Sequence, residues 1–353
     1  MSRNLIEANA SIFANLDRFC AARGLGLVNA GYPRWIASRH SDRHFMINAV
    51  VGDCLTFGLG RRLARLDIDD KSYICSIGFE RNRGTLEDAD LELSPGFLTV
   101  ALSELQPQPS GSISEIREVI EWSDKNTDAS YSGHEYEQIS SLFPAVRFYL
   151  LEGRDIAATW NTFFQICVDE CDLGGSWIDG RLVTTLRTMC ALDADRIPYR
   201  VLCRSVFDSD RSSFFLALYR CLEALYAYSS SHRVAKGLGI DTPWAEVAKV
   251  LEDELGWHPR EESSLSSIVQ FAAPSDMKML LSGLQHPHMD ADARSLVNAA
   301  SKAIYNLRNS IVHYRPAQHR LDIDSINWPI ICEAMVGIIV DVYEAVFTGQ
   351  SAR

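Results

Sequence analysis

Residues 291–315 read ADARSLVNAASKAIYNLRNSIVHYR. Val297, Ala300, Ile304, Leu307, Ile311 and Tyr314 recur at spacings of 3, 4, 3, 4 and 3. That rhythm sets one continuous apolar stripe on an α-helix, and such a stripe must pack into a core. Lys302, Asn306, Asn309 and His313 follow at 4, 3 and 4 and form a second, polar stripe. At about 100° per residue it lies nearly opposite the first. Arg308 falls between the two, at the edge of the core face. Pro316 disfavours helix at Arg315, which puts His313 in the last turn or just beyond it.

Working outward, the chain reads as helical from about residue 136 onward. Candidate helices cover 136–152, 155–171, 181–192, 212–230, 243–255, 275–285, 291–315 and 325–347. Asp324 or Ser325 can cap the last of these, and Pro329 is tolerable because it falls in the first turn. Residues 3–22 also predict a helix. His44–Leu59, Ala64–Glu80 and Gly96–Leu102 carry β-branched and aromatic residues with partial alternation and predict strands. Residues 1–105 are therefore expected to form a small α+β domain, and 112–205 a helical middle region. The stretch QPQPSG, residues 106–111, reads as the boundary between them, since its prolines and glycine extend neither helix nor strand. Ser112 precedes Glu115 by three, the capping-box spacing that opens a helix through about Trp122.

The net charge is −12, with 47% hydrophobic residues in 353, which suits two or three domains and excludes a broadly basic nucleic-acid coat. Any RNA contact must come from a local patch. From Arg294 to Arg320 there are five cations (Arg294, Lys302, Arg308, Arg315 and Arg320) and no Asp or Glu. That is the place to look for a phosphate, although a basic helix end also simply suits the helix dipole. Nine cysteines are scattered, and only Cys167 and Cys171 lie close together. They read as reduced, mostly buried thiols of a cytoplasmic protein, with no metal or cofactor set. Asp169, Glu170 and Asp172 read as a solvated helix end. His286 and His288 lack a third ligand nearby. The first twenty residues have no apolar core of the signal-peptide kind, and no apolar run approaches the ~18 residues of a membrane span. Neither a phosphate-binding glycine loop nor a Gly-x-Ser-x-Gly elbow is present.

The run Tyr305-Asn306-Leu307-Arg308-Asn309-Ser310-Ile311-Val312-His313 resembles the signature of the HEPN superfamily: Arg, often a polar residue next, then His after four to six residues. Arg39 to His44 also has four intervening residues and Arg34 to His40 has five, but both lie between a Pro-containing loop and an expected strand. The 308–313 match ends an amphipathic helix followed by one final apolar helix, as in the family. Phe214-Phe215-Leu216-Ala217-Leu218-Tyr219-Arg220-Cys221-Leu222-Glu223 is similar to the opening helix of the Apea-like HEPN branch, found in bacterial anti-phage and toxin-type proteins. The resemblance covers roughly residues 200–350. It implies a mainly α fold, with an antiparallel helical bundle over 206–353 whose core includes Met335, Ile338 and Val342.

The resemblance further implies a metal-independent endoribonuclease that uses the RNA 2′-hydroxyl as nucleophile, acting as a homodimer in stress response or phage defence. His313 suits proton transfer, since imidazole ordinarily titrates near ~6.5. Arg308 suits charge stabilisation at a phosphoryl group, through its planar fork. Asn309, one turn before His313, could fix the imidazole tautomer. Lys302, Arg315 and Arg220 are candidate phosphate contacts, with Tyr314 in support. Glu223 either pairs with Arg308 or is a surface carboxylate. Two other readings stay open: a silent HEPN module that binds RNA, a nucleotide or a protein partner, and a HEPN subunit governed by a separate nucleotidyltransferase.

Overall fold

The computed structural model describes residues 3–26, 33–79, 86, 89–121, 131–151, 156–192, 196–286, 292–313 and 326–351. Over these the protein is mainly helical, with one small antiparallel sheet. The chain divides into two compact units, Met1–Thr159 and Trp160–Arg353.

The first unit contains α1 (Leu5–Ala21), α2 (Asp42–Asn48), β1 (Val50–Phe57), β2 (Arg61–Ile68), β3 (Lys71–Ile77), β4 (Asp90–Leu91), α3 (Pro95–Leu105), α4 (Ile113–Ile120), α5 (Tyr136–Ser140) and β5 (Val146–Leu151). The strands run β1-β2-β3-β5-β4, each pair antiparallel. Leu66, Cys75 and Phe148 from the sheet, Ile12 and Leu16 from α1, Leu98 and Leu102 from α3, and Ile116 and Ile120 from α4 share one core. The stretch 106–111 joins two helices of that core. The capping box forms as expected: Glu115 N–H donates to Ser112 Oγ at 3.2 Å and Ser112 N–H to Glu115 Oε2 at 2.7 Å.

Four expectations in this unit are corrected. Gly96–Leu102 is helix α3, not a strand. Ser94 caps it and Pro95 opens it, and that start signal outweighs the two β-branched residues. The helix is buried nearly all round, so it shows no 3.6-residue rhythm. The expected helix over 136–152 stops at α5. Pro144 removes a backbone donor and disfavours helix before it, and the chain continues as strand β5. His44–Leu59 opens with helix α2 before β1, so the Arg39–His44 match ends on a helix. Ala64–Glu80 holds two strands, turned at Asp69 and Asp70, with Asp69 in the left-handed region at φ 50°.

Helix α6 (Ile156–Asp172) leads into the second unit, with α7 (Gly180–Cys190), α8 (Tyr199–Ser205), α9 (Arg211–Glu223), α10 (Tyr228–Leu238), α11 (Trp244–Leu255), α12 (Glu261–Val269), α13 (Pro274–Gly283), α14 (Ala293–Val312) and α15 (Trp328–Ser351). The expected single helix over 212–230 breaks after Glu223, and α8 and α12 carry no sequence signal that was read. Helix α15 packs against α7, α9 and α13, while α14 lies against α12, α13 and α9. Gly337 lets α13 approach α15: a Cβ there would stand 2.5 Å from Asp276 Oδ2. Asp341 of α15 accepts the Ala273 N–H at 2.7 Å and so caps α13. Met335, Ile338 and Val342 are fully buried. No helix among the described residues is long and apolar enough to cross a membrane.

The acidic group on α6 is not a solvated end. Glu170 is buried, and Arg187 bonds Asp169 at 3.0 Å and Asp172 at 2.9 Å. Of the nine cysteines Cys54 is exposed and Cys190 half-buried, the other seven being buried. Burial pushes the Cys190 thiol up to about 12.

Candidate functional site

Helix α14 carries the site. Asp292 caps it, accepting the Arg294 and Ser295 N–H groups at 3.1 Å each. The helix buries Leu296, Ala300, Ser301, Ala303, Ile304 and Leu307. Val297 and Ile311, expected in the core, are half-buried. The buried stripe is turned by about one residue, because Leu296 and Ala303 face inward in Val297's place. His313 is the C-cap, its N–H donating to the Asn309 carbonyl at 2.9 Å, and its side chain is exposed. Tyr314 and Arg315 lie outside the described residues, as do Asp324 and Ser325.

Arg308 turns inward to α9 and α12. Its Nη1 donates to Asn309 Oδ1 at 3.0 Å. Its Nη2 stands 3.7 Å from Glu223 Oε1, and Nη1 stands 3.7 Å from Glu261 Oε2. The guanidinium also lies over the Tyr219 ring, 5.6 Å from the centroid. The side chain is 20% exposed. Of the two options for Glu223, the ion pair is the one adopted. Burial raises the Glu223 carboxyl above the usual range, against the pull of Arg308. Tyr219 is buried too, and its hydroxyl accepts a 2.7 Å hydrogen bond from Tyr226. Burial raises both phenols. The guanidinium is thus fixed by an amide, two carboxylates and a ring face, with most of its five N–H donors beyond hydrogen-bond range of these groups.

Asn309 serves Arg308 and not the imidazole. Among the described residues the His313 ring has no hydrogen-bond partner, so the expected tautomer-fixing role is not realised within one chain. Arg220 is exposed on the last turn of α9, near enough to Glu223 to favour its ionised form. Lys302 is exposed and sits about 120° around α14 from Arg308. It lines a separate groove of about 680 Å³ with Asn298, Asn306, Asp292 and His286. The fold therefore gathers Arg308, Asn309, Glu223 and Arg220, and leaves Lys302 and His313 on an open face.

Tyr219, Tyr226 and Glu261 were not read from the sequence. Tyr219 stands four residues before Glu223 on one helix face, a spacing that could have exposed it. Glu261 comes from another helix, and no local pattern links it to Arg308. Comparison of the chain with protein-family models, with curated proteins and with solved structures gives no match.

Proposed function

We propose that residues 206–353 form an antiparallel helical bundle of the HEPN type, and that the protein is a metal-independent endoribonuclease of bacterial stress response or anti-phage defence. The observation that carries this is the pairing of a pre-positioned Arg308 with an open His313 at the end of one helix. In the reaction the RNA 2′-oxygen attacks the adjacent phosphorus and the bond to the 5′-oxygen breaks. The products are a 2′,3′-cyclic phosphate and a 5′-hydroxyl. One group takes the 2′-hydroxyl proton, and another delivers a proton to the departing oxygen. His313 supplies one of these steps. A second copy of the chain, meeting it along the Lys302–His313 face, supplies the other from its own His313. Arg308 holds the non-bridging oxygens, where charge gathers as the new bond forms.

The near-neutral setting of Arg308 favours one second reading, a HEPN module that holds RNA without cutting it. One experiment separates the two. Full-length protein is incubated with single-stranded RNA and with DNA of the same sequence, in EDTA. The nuclease cuts RNA, spares DNA, and sediments as a dimer at micromolar concentration. Binding without cleavage selects the silent module. A strict monomer with no response to RNA contradicts the composite site.

A further inference from the structure

The first unit holds a cleft that the proposed nuclease does not use. It is lined by α1, the segment 33–38 and α2, and encloses about 890 Å³, within the range of sites that hold small molecules. One wall is the half-buried Trp35. Its indole Nε1 donates to the Ser132 carbonyl at 3.1 Å. Gly133, at φ 105°, lets that backbone pass, since a Cβ there would stand 2.6 Å from the indole nitrogen. Tyr131 meets the same ring edge-on, with centroids 4.7 Å apart. The indole is thus held in one orientation with its donor spent, and what it adds to the cleft is a flat apolar surface.

The polar groups of the lining are largely spent in the same way. Asn9 Oδ1 accepts the Ile36 N–H at 2.8 Å, and Asn9 Nδ2 donates to the Leu5 carbonyl at 2.9 Å. Arg34, with its side chain 6% exposed, pairs at two points with Asp17 and lies over the Phe13 ring. The charges of that pair cancel. Arg43 on α2 is different. It is exposed, and among the described residues its side chain makes no hydrogen bond or ion pair. These three are the charged residues of the lining, so the cleft carries one unanswered positive charge. Its long wall is apolar, and Ala10 and Ala14 of α1 stand exposed there with side chains too short to fill the space.

We infer that this cleft is a binding site for a small molecule with a flat apolar body and a single acidic group, the body lying against Trp35 and the acid meeting Arg43. A basic ligand would find no free carboxylate, because Asp17 is taken by Arg34. The inference does not depend on Arg308 or on the nuclease.

The test titrates full-length protein by calorimetry at neutral pH and low salt with three probes that share one flat ring system. Naphthalene-1-acetate carries one negative charge, naphthalene-1-acetamide is its neutral counterpart, and naphthalene-1-methylamine is a cation. Wild-type protein binds the acetate about fivefold more tightly than the amide, and the amine most weakly. Arg43→Gln lowers the affinity for the acetate to that for the amide and leaves the amide unchanged. Arg39→Gln, at an exposed cation outside the cleft, keeps the preference. Ala10→Leu combined with Ala14→Leu fills the cleft from exposed positions where leucine suits a helix, and abolishes binding of all three. Ala14→Leu alone, which weakens binding, serves if the double variant changes the circular dichroism spectrum. Wild-type protein that binds none of the probes, equal affinity for acetate and amide, tightest binding of the amine, or unchanged binding in the leucine variants overturns the inference. A preference for the acetate that survives Arg43→Gln overturns the role of Arg43.

Discussion

The two faces of α14 differ in how the fold treats their polar groups. On the side turned to α9 and α12, Arg308 is held by Asn309, Glu223, Glu261 and Tyr219, with two carboxylates facing its one positive charge. On the far side Asn298, Lys302, Asn306 and His313 stand exposed. A buried guanidinium without carboxylates would face a large desolvation cost, so the first face follows from burial alone. Nothing in the packing of one chain requires the second. Folding therefore accounts for the charged residue that is fixed and not for the titratable one left open. That asymmetry is what a site completed by a second chain would look like from one chain.

The comparison breaks first at the exposed face. His313→Ala should lower RNA cleavage by on the order of 10²–10⁴-fold, and leave the urea midpoint unchanged, because the ring touches no core. On the buried face, Leu307→Ala should cost about 2–5 kcal/mol of unfolding free energy, measured by urea denaturation. Loss of activity in that variant should track loss of fold, with normal cleavage when it is assayed well below its midpoint. Tyr226→Phe removes the hydrogen bond to Tyr219 beneath Arg308 and should cost about 1–3 kcal/mol by the same measurement. A null result there would mean that the phenol pair does not support the guanidinium.

The smallest effects are in pH. His134, buried in the first unit beside Phe13 and near Arg34, is pulled down to about 4 by burial and by that cation. The unfolded chain takes up a proton near the ordinary value of 6.5, and the folded chain only near 4. Stability contributed by neutral His134 is thus present above 6.5 and declines as pH falls through that window. Asp276 has the opposite sign. Burial and the neighbouring Asp341 and Glu333 raise its carboxyl, so the folded chain binds the proton first and stability declines as pH rises past the ordinary Asp value. His134→Phe should flatten the fall in urea midpoint as pH drops below 6.5, and Asp276→Asn should remove the decline that sets in as pH rises past the ordinary Asp value.

The helices of the second unit were legible where they are amphipathic. The rhythm of α14 located its buried side to within one residue, and α15 followed from an apolar run opened by Pro329. Helix α3 was not legible, because a segment buried all round shows no period, and its start at Ser94 and Pro95 was the better guide. Strand β5 was missed because a single proline decided it. At the site, Arg308, Asn309 and His313 could be read from spacing, since they lie on one helix. The partners of Arg308 could not, because Glu223 and Glu261 reach it through tertiary packing across α9 and α12. The contact that Asn309 makes was not legible either: its side-chain oxygen accepts from the adjacent Arg308 guanidinium, a charged donor.

The most direct test of the account is the chemistry of the cut ends. Single-stranded RNA treated with full-length protein in EDTA is analysed by mass spectrometry, beside the same reaction with His313→Ala. The account predicts 2′,3′-cyclic phosphate and 5′-hydroxyl ends from the wild type and a loss of both in the variant. Ends bearing a 3′-hydroxyl and a 5′-phosphate, or equal cutting by the variant, would contradict it.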